Sequence, residues 1–374
     1  MSKKSKIIIL TIVILVLFSA FSAVGWVLLR VDKNMISPNA NETTSYDVNF
    51  NLSDPSNEIY KKEYKFKEVI GWIASFDYQN GKNSFYKNIS KFTQVSPVYF
   101  DLNTDGSTSE RSVAGDTDLK NIARKNSVKV IPTIIGFDEN ALQAMLNDDK
   151  KFQAHQEFLL KEAEKYDGLD IDYESINLTD KELYLKMLQN LAEGLHSKGK
   201  ILTVSVISKD KENGYQTLIE TRQVQDWNRM GNFVDQIRIM AYDYSPDSTP
   251  GPISPLNWVE NVIRYGLSKT AQEKLVLGQP LYAYAYGNKR YAYTYDEIAE
   301  ILNAQVINLT FDKLTSEKMF TFSKGSESRR MWFQDFETML PRFALINRYN
   351  IAGIAYWRLG GEDQRIYDLL AKQR

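Results

Sequence analysis

The chain has no cysteine, which excludes disulfides, thiolate nucleophiles, Cys-ligated zinc and a cysteine-linked lipid anchor. Histidine is almost missing. His155 and His196 are the two in 374 residues, too few for a His-rich metal site and a poor basis for a Ser-His-Asp triad. An excess of one charge is also lacking. Lys plus Arg number 46 and Asp plus Glu 47, a formal net charge of -1. No global field therefore recruits nucleic acid, and none is expected as a partner. A Gly-rich phosphate turn is absent where an open nucleotide-binding sheet would carry one. After Phe76 the chain reads Asp77-Tyr78-Gln79-Asn80-Gly81.

What is present begins with one long apolar run. Residues 7–29 contain no charged side chain, and 23 residues suffice for a helix to cross a bilayer core. Lys3, Lys4 and Lys6 precede it, so the 1–6 flank is expected in the cytoplasm and the body outside. A cleaved signal peptide is the rival reading, with Ala20 and Ser22 as small residues before the cut. The apolar run continues past any such cut through Val24, Trp26 and Leu29, which favours an uncut single-pass anchor in the cell membrane. Residues 30–66 are polar, with Pro38, Asn39, Asn41 and Ser45, and read as a flexible stem.

From residue 67 to 374 one pattern recurs: a short apolar or β-branched run, a polar turn, then a helical stretch. The runs lie at 69–76, 96–102, 128–137, 168–173, 201–207, 236–242, 274–282 and 351–359. Among the helices, 181–197 carries Leu183, Met187, Leu188, Leu191 and Leu195 at helical spacing, and Gly199 closes it. Eight such runs predict an α/β fold, a (β/α)8 TIM barrel. Residues from about 283 to 330 interrupt the pattern and read as a small insertion between strands seven and eight. An open cleft, not a deep tunnel, is expected from an insertion of that size.

The fourth run ends Asp167-Gly168-Leu169-Asp170-Ile171-Asp172-Tyr173-Glu174. Alternation puts Asp170, Asp172 and Glu174 on one face and Leu169, Ile171 and Tyr173 on the other. Three carboxylates pointing into a barrel are costly unless chemistry uses them, and barrel enzymes keep their chemistry at the C-terminal strand ends. An acidic surface turn and an oxygen-ligand cation site are the competing readings of this segment alone. Confinement predicts that Asp170 and Asp172 share a proton and that Glu174 has a raised pKa.

These acids resemble the Asp-x-x-Asp-x-Asp-x-Glu signature of glycoside hydrolase family 18, and within it the chain looks most like the bacterial spore-germination and cell-wall subgroup (YaaH-like or SleL-like). Met240-Ala241-Tyr242-Asp243-Tyr244, Gly278-Gln279-Pro280-Leu281-Tyr282 and Ile354-Ala355-Tyr356-Trp357 resemble the family's segments at strands six, seven and eight. The resemblance implies a retaining, chitinase-like glycosidase without metal or cofactor, acting on β-linked N-acetylglucosamine polymers. It implies Glu174 as acid and then base, Asp172 orienting the substrate's acetamido group, Tyr242 binding the acetamido oxygen and Asp170 supporting Asp172. Trp357, Asp243, Met240, Tyr282 and Gln279 are implied as substrate-binding. A glycan-binding barrel without hydrolysis is the alternative, and such members usually lack the acid at the position of Glu174. The polymer, peptidoglycan or chitin, and the oligomeric state are left open by the sequence.

Overall fold

The computed structural model describes residues 63–212 and 219–373. The expected anchor at 7–29 and nearly all of the stem at 30–66 lie outside the described residues.

Eight parallel strands close into a ring: Glu68–Ile73, Gln94–Leu102, Thr133–Gly136, Gly168–Tyr173, Ile201–Ile207, Gln236–Met240, Leu275–Pro280 and Gly353–Trp357. The ring closes where the first strand pairs with both the second and the eighth. At that seam Gly353 permits the approach, since a Cβ there would lie 1.8 Å from the Glu68 carbonyl oxygen. All eight strands coincide with the runs read from the sequence.

The alternation of each strand divides an outer core from the lumen. Leu169, Ile171 and Tyr173, Leu202, Val204 and Val206, and Ile237 and Ile239 join the large core packed under the helices. The helix Lys181–His196 lays Tyr184, Leu188, Leu191 and Leu195 into that core, a face recurring every three to four residues. Aspartates cap three other helices: Asp116, Asp138 and Asp148 each accept first-turn backbone N–H groups. Inward positions carry a small apolar cluster of Ile70, Trp72, Val276 and Ala355 with Trp357 against it. They also carry a polar layer, in which fully buried Arg238 donates to Gln94 (2.6 Å), Ser96 (2.7 Å) and Gln236 (3.2 Å).

The interruption between strands seven and eight lies close to the expected residues, running from Tyr282 to Phe333. It is a five-stranded antiparallel sheet with strands in the order Arg290–Thr294, Tyr282–Tyr286, Glu327–Phe333, Glu317–Lys324, Thr310–Asp312, plus the helix Tyr295–Ala304. It has its own core, including Ala283, Ala285, Phe320, Phe322 and Ile298. Buried Glu317 fixes it to the barrel by accepting from the backbone N–H groups of Ile253 (2.9 Å) and Ser254 (2.6 Å). The N-terminal approach is packed as well, with Tyr64 and Phe66 both against Phe343.

Candidate active site

The three acids of the fourth strand stand at three depths in the lumen. Asp170 is deepest and has no solvent exposure. The strand register sets Thr133 and Thr203 on either side of it. Its oxygens accept from Thr203 (2.7 Å), Thr133 (2.9 Å), Ser205 (3.1 Å) and the Trp72 indole (3.1 Å), and the Arg238 guanidinium lies 3.4 Å away. Each of these partners is a donor or a cation, the setting a buried negative charge requires. A carboxylate so saturated is a poor metal ligand. Among the described residues no cluster of three His, Asp or Glu could hold a metal ion.

Asp172 stands one layer higher and lines the cleft. Its Oδ1 is buried and has no hydrogen-bond partner among the described residues. Burial first, then the charges of Glu174 and Asp170, raise its pKa well above the usual carboxylate range. The protonated form of Asp172 is thereby favoured, while the donors surround Asp170.

Glu174 sits just past the strand end, its N–H bonded to the Gly136 carbonyl at 3.0 Å. Its carboxyl is pushed up to about 7, by burial first and by Asp243 second. Asp243 thus acts on Glu174 from across the cleft, and Glu174 in turn acts on Asp172. Thr221 fixes the backbone on either side of Glu174: its hydroxyl donates to the Glu174 carbonyl (2.9 Å) and accepts from the Ile176 N–H (2.9 Å). Gln225 donates to the Tyr173 carbonyl (3.1 Å) and accepts from the Ile207 N–H (2.8 Å). Both side chains are buried.

Tyr242 and Asp243 follow strand six, and Met240 ends it; all three line the cleft. Asp243 adopts a left-handed backbone conformation, φ 55°. Two tyrosines from the first strand of the inserted sheet donate to its carboxylate: Tyr282 to one oxygen, and Tyr284 to the other at 3.1 Å. Tyr282 also meets the Tyr242 ring edge-on at 6.4 Å. Trp357 closes strand eight, its ring edge-on to Trp72 at 6.3 Å.

Asp172, Glu174, Met240, Tyr242, Asp243 and Trp357 thus border one cleft of about 300 Å³ at the C-terminal mouth of the barrel. Asp170 lies beneath it, and Tyr282 reaches it through Asp243. Gln279 does not belong to the lining. It is fully buried and bonds to the Ala241 carbonyl, Ser254 and Arg342. It shares strand parity with Leu275 and Leu277, which face the outer core, so it points away from the lumen. Sequence reading passed over other lining residues, among them Phe137, Ser208, Arg222 and Tyr244. Phe137 (53% exposed) and Tyr244 (43%) are large aromatics left in solvent at the cleft, a signal that burial reveals and sequence does not. Arg358, beside Trp357, is bound to Asp77.

Comparison with known proteins agrees with this geometry. The uncharacterized glycosylase YvbX of Bacillus subtilis is 22% identical over 313 residues, 79% of this chain and 90% of that one. The cortical fragment-lytic enzyme of Bacillus anthracis is 27% identical over 290 residues, 72% of this chain but 65% of the relative's length. The crystal structure of the Bacillus cereus spore cortex-lytic enzyme SleL shares the fold, with a TM-score of 0.74 at 22% identity over 83% of this chain and 75% of that one. The model of the glycosyl hydrolases family 18 matches residues 68–362, strand one to just beyond strand eight. The chain belongs to that family and is a glycosidase.

Proposed function

We propose that this glycosidase cleaves β-linked N-acetylglucosamine polymers of the cell wall, or chitin-like glycans, with retention and with the substrate's acetamido group as nucleophile. One observation carries the proposal: among the described residues the site holds a well-placed acid but no carboxylate both ionised and unengaged to attack the sugar, Asp243 being bound by Tyr282 and Tyr284. Glu174, pushed up to about 7, keeps a proton for the glycosidic oxygen near neutral pH. Asp170 is enclosed by donors, and Asp172 is held protonated by burial and its acidic neighbours. Neither is free to serve as the attacking second carboxylate of an ordinary retaining glycosidase.

The unpartnered Oδ1 of Asp172 is then the natural acceptor for an acetamido N–H, since a buried acceptor without a partner costs about 1–3 kcal/mol. Held there, with Tyr242 at its oxygen, the acetamido carbonyl attacks the anomeric carbon as Glu174 gives up its proton. The Oδ1 of Asp172 goes on accepting from the acetamido N–H as positive charge develops on that nitrogen, and Asp170 supports Asp172 from below. The glycosidic bond breaks as an oxazolinium ring forms, and water, deprotonated by Glu174, then attacks the anomeric carbon and opens that ring. Trp357 supplies an apolar floor for the sugar face. The apolar run at 7–29 is proposed to tether the barrel outside the cytoplasmic membrane, within reach of the envelope.

The test offers purified peptidoglycan and chitin oligomers side by side, with products read by mass spectrometry and anomeric configuration by NMR. Products with N-acetylglucosamine reducing ends of retained configuration are expected. Inverted products, or no turnover of either polymer, would refute the proposal.

A further inference from the structure

A second hollow, of about 430 Å³, lies at the base of the barrel, the end opposite the catalytic cleft. Residues that lead into strands three, four and five line it: Val128 to Val130, Tyr166 with Asp167, and Lys200. The helix Thr117–Lys125 adds Lys120 and Arg124. No step of the mechanism above uses this space.

Cations dominate it. Lys120, Arg124, Lys129, Lys165 and Lys200 border the hollow, against the two acids Glu164 and Asp167. Both acids are already engaged. Glu164 accepts from Lys198 (2.6 Å), and Asp167 accepts from the Val130 N–H (2.8 Å). Lys165 is paired with Glu162, and Lys200 donates to the Tyr166 carbonyl. Lys120 stands 5.4 Å over the ring of buried Tyr166. Among the described residues, Lys120, Arg124 and Lys129 have no carboxylate partner. Arg124 has an ordinary role against the dipole of its helix, but Lys129 lies in no helix and has no such role.

The place where the chain enters the barrel indicates what this hollow meets. The Tyr64 N–H bonds to the Leu369 carbonyl (2.7 Å), and strand one starts at Glu68. The Thr93 N–H bonds to Val69 (2.8 Å) and the Lys129 N–H to Thr93 (3.0 Å), so the entry point and the hollow share one face, two strands apart. The apolar run at 7–29 precedes that entry by about thirty residues, and a coil of that length spans about 30 Å. Uncommitted ammonium and guanidinium groups match phosphodiester headgroups. Each such cation near an anionic bilayer strengthens attachment about fivefold.

We propose that this basic hollow binds the phosphate headgroups of anionic lipid, so that the barrel stands on the membrane with its catalytic mouth turned outward to the glycan. The inference rests on the tether proposed above and adds the orientation of the cleft, which a tether alone does not set.

The test reconstitutes the full chain into nanodiscs of phosphatidylcholine, alone or with phosphatidylglycerol at about 30%. A chain without cysteine accepts a single dye at Ser197→Cys, exposed on the base, or at Ser248→Cys, exposed in the loop after strand six at the mouth. Energy transfer to acceptor-labelled lipid reads which end faces the bilayer. In anionic discs the base dye is expected to transfer more strongly than the mouth dye, and the difference vanishes in neutral discs. Combining Lys120→Gln, Arg124→Gln and Lys129→Gln should lower the ratio of base-down to free molecules about 100-fold in anionic discs. Circular dichroism and thermal unfolding matching the wild type separate this loss from a misfolded barrel. An anionic-disc signal unmoved by the triple substitution overturns the proposal. So does suppression of that signal by glycerol phosphate beyond a chloride control of equal ionic strength, which assigns the hollow to a small soluble phosphate. A chain that enters neither disc refutes the tether. A chain that enters both and ignores lipid charge refutes the base contact alone.

Discussion

Three carboxyl groups two residues apart occupy three environments, and depth in the lumen accounts for the difference. Asp170 is compensated by donors, Asp172 is buried without them, and Glu174 stands at the rim. Their shared face was legible in the sequence, because alternation along a strand needs only the strand. Their unequal surroundings were not, because these depend on Thr133, Thr203 and Arg238 from other strands. A general acid with a pKa of about 7 works below that pH, so kcat/KM should fall as pH rises through about 7. Glu174→Gln should cut kcat about 10²–10⁴-fold while oligosaccharide binding survives, measured by calorimetry. Its effect on stability has the opposite sign. A carboxyl raised from 4.5 to about 7 binds its proton more tightly when folded, so wild-type stability falls as pH rises across that window. The Gln variant lacks this penalty. Its Tm should exceed that of the wild type at pH 8, with the gap closing towards pH 4.5. Equal Tm values at both pH values would contradict the burial assigned to Glu174.

Two elements outside the acidic strand shape the site. The helix Ile219–Val224 holds the Glu174 backbone through Thr221, and misplacement of a catalytic group by about 1 Å can cost on the order of 100-fold. Thr221→Val should therefore lower kcat by about tenfold or more with a much smaller change in KM, and Thr221→Ser should restore it. A variant with normal kcat but a lowered Tm would make the contact merely structural. The inserted sheet acts on Glu174 by a longer route. Burial raises the Asp243 pKa, the hydrogen bonds donated by Tyr282 and Tyr284 offset part of that rise, and Asp243 in turn raises Glu174. Removing both hydroxyls (Tyr282→Phe with Tyr284→Phe) makes Asp243 easier to protonate. Glu174 then meets less negative charge, and the alkaline limb of kcat/KM should move to lower pH. These couplings could not be read along the chain, because Thr221 and Tyr284 belong to elements far in sequence from Glu174. Gln279 was misread for a related reason. The motif placed it near the site, but strand parity turned it towards the outer helices, where Arg342 holds it.

At the scale of the whole barrel, eight strands were legible because each is a short apolar run bounded by polar turns. The polar filling of their lumen was not, because it is assembled from single inward residues of several strands. Arg238 and Asp170 are its centre, 3.4 Å apart and both without solvent exposure. Such a pair gives little net stability, yet losing one partner strands a buried charge at a cost of about 3–5 kcal/mol. Arg238→Met alone should therefore destabilise the barrel by about that amount in denaturant unfolding. Pairing it with Asp170→Asn should recover most of the loss. The Asn carbonyl can accept from Trp72, Thr133 and Ser205 in place of Oδ2, and its amide can donate to the Thr203 hydroxyl. Activity should not return with stability, because a neutral amide no longer supplies the negative charge that helps keep the proton on Asp172. Unfolding and turnover measured on the two single variants and the double variant would separate these effects. A double variant as active as the wild type would show that the charge beneath Asp172 serves the fold alone.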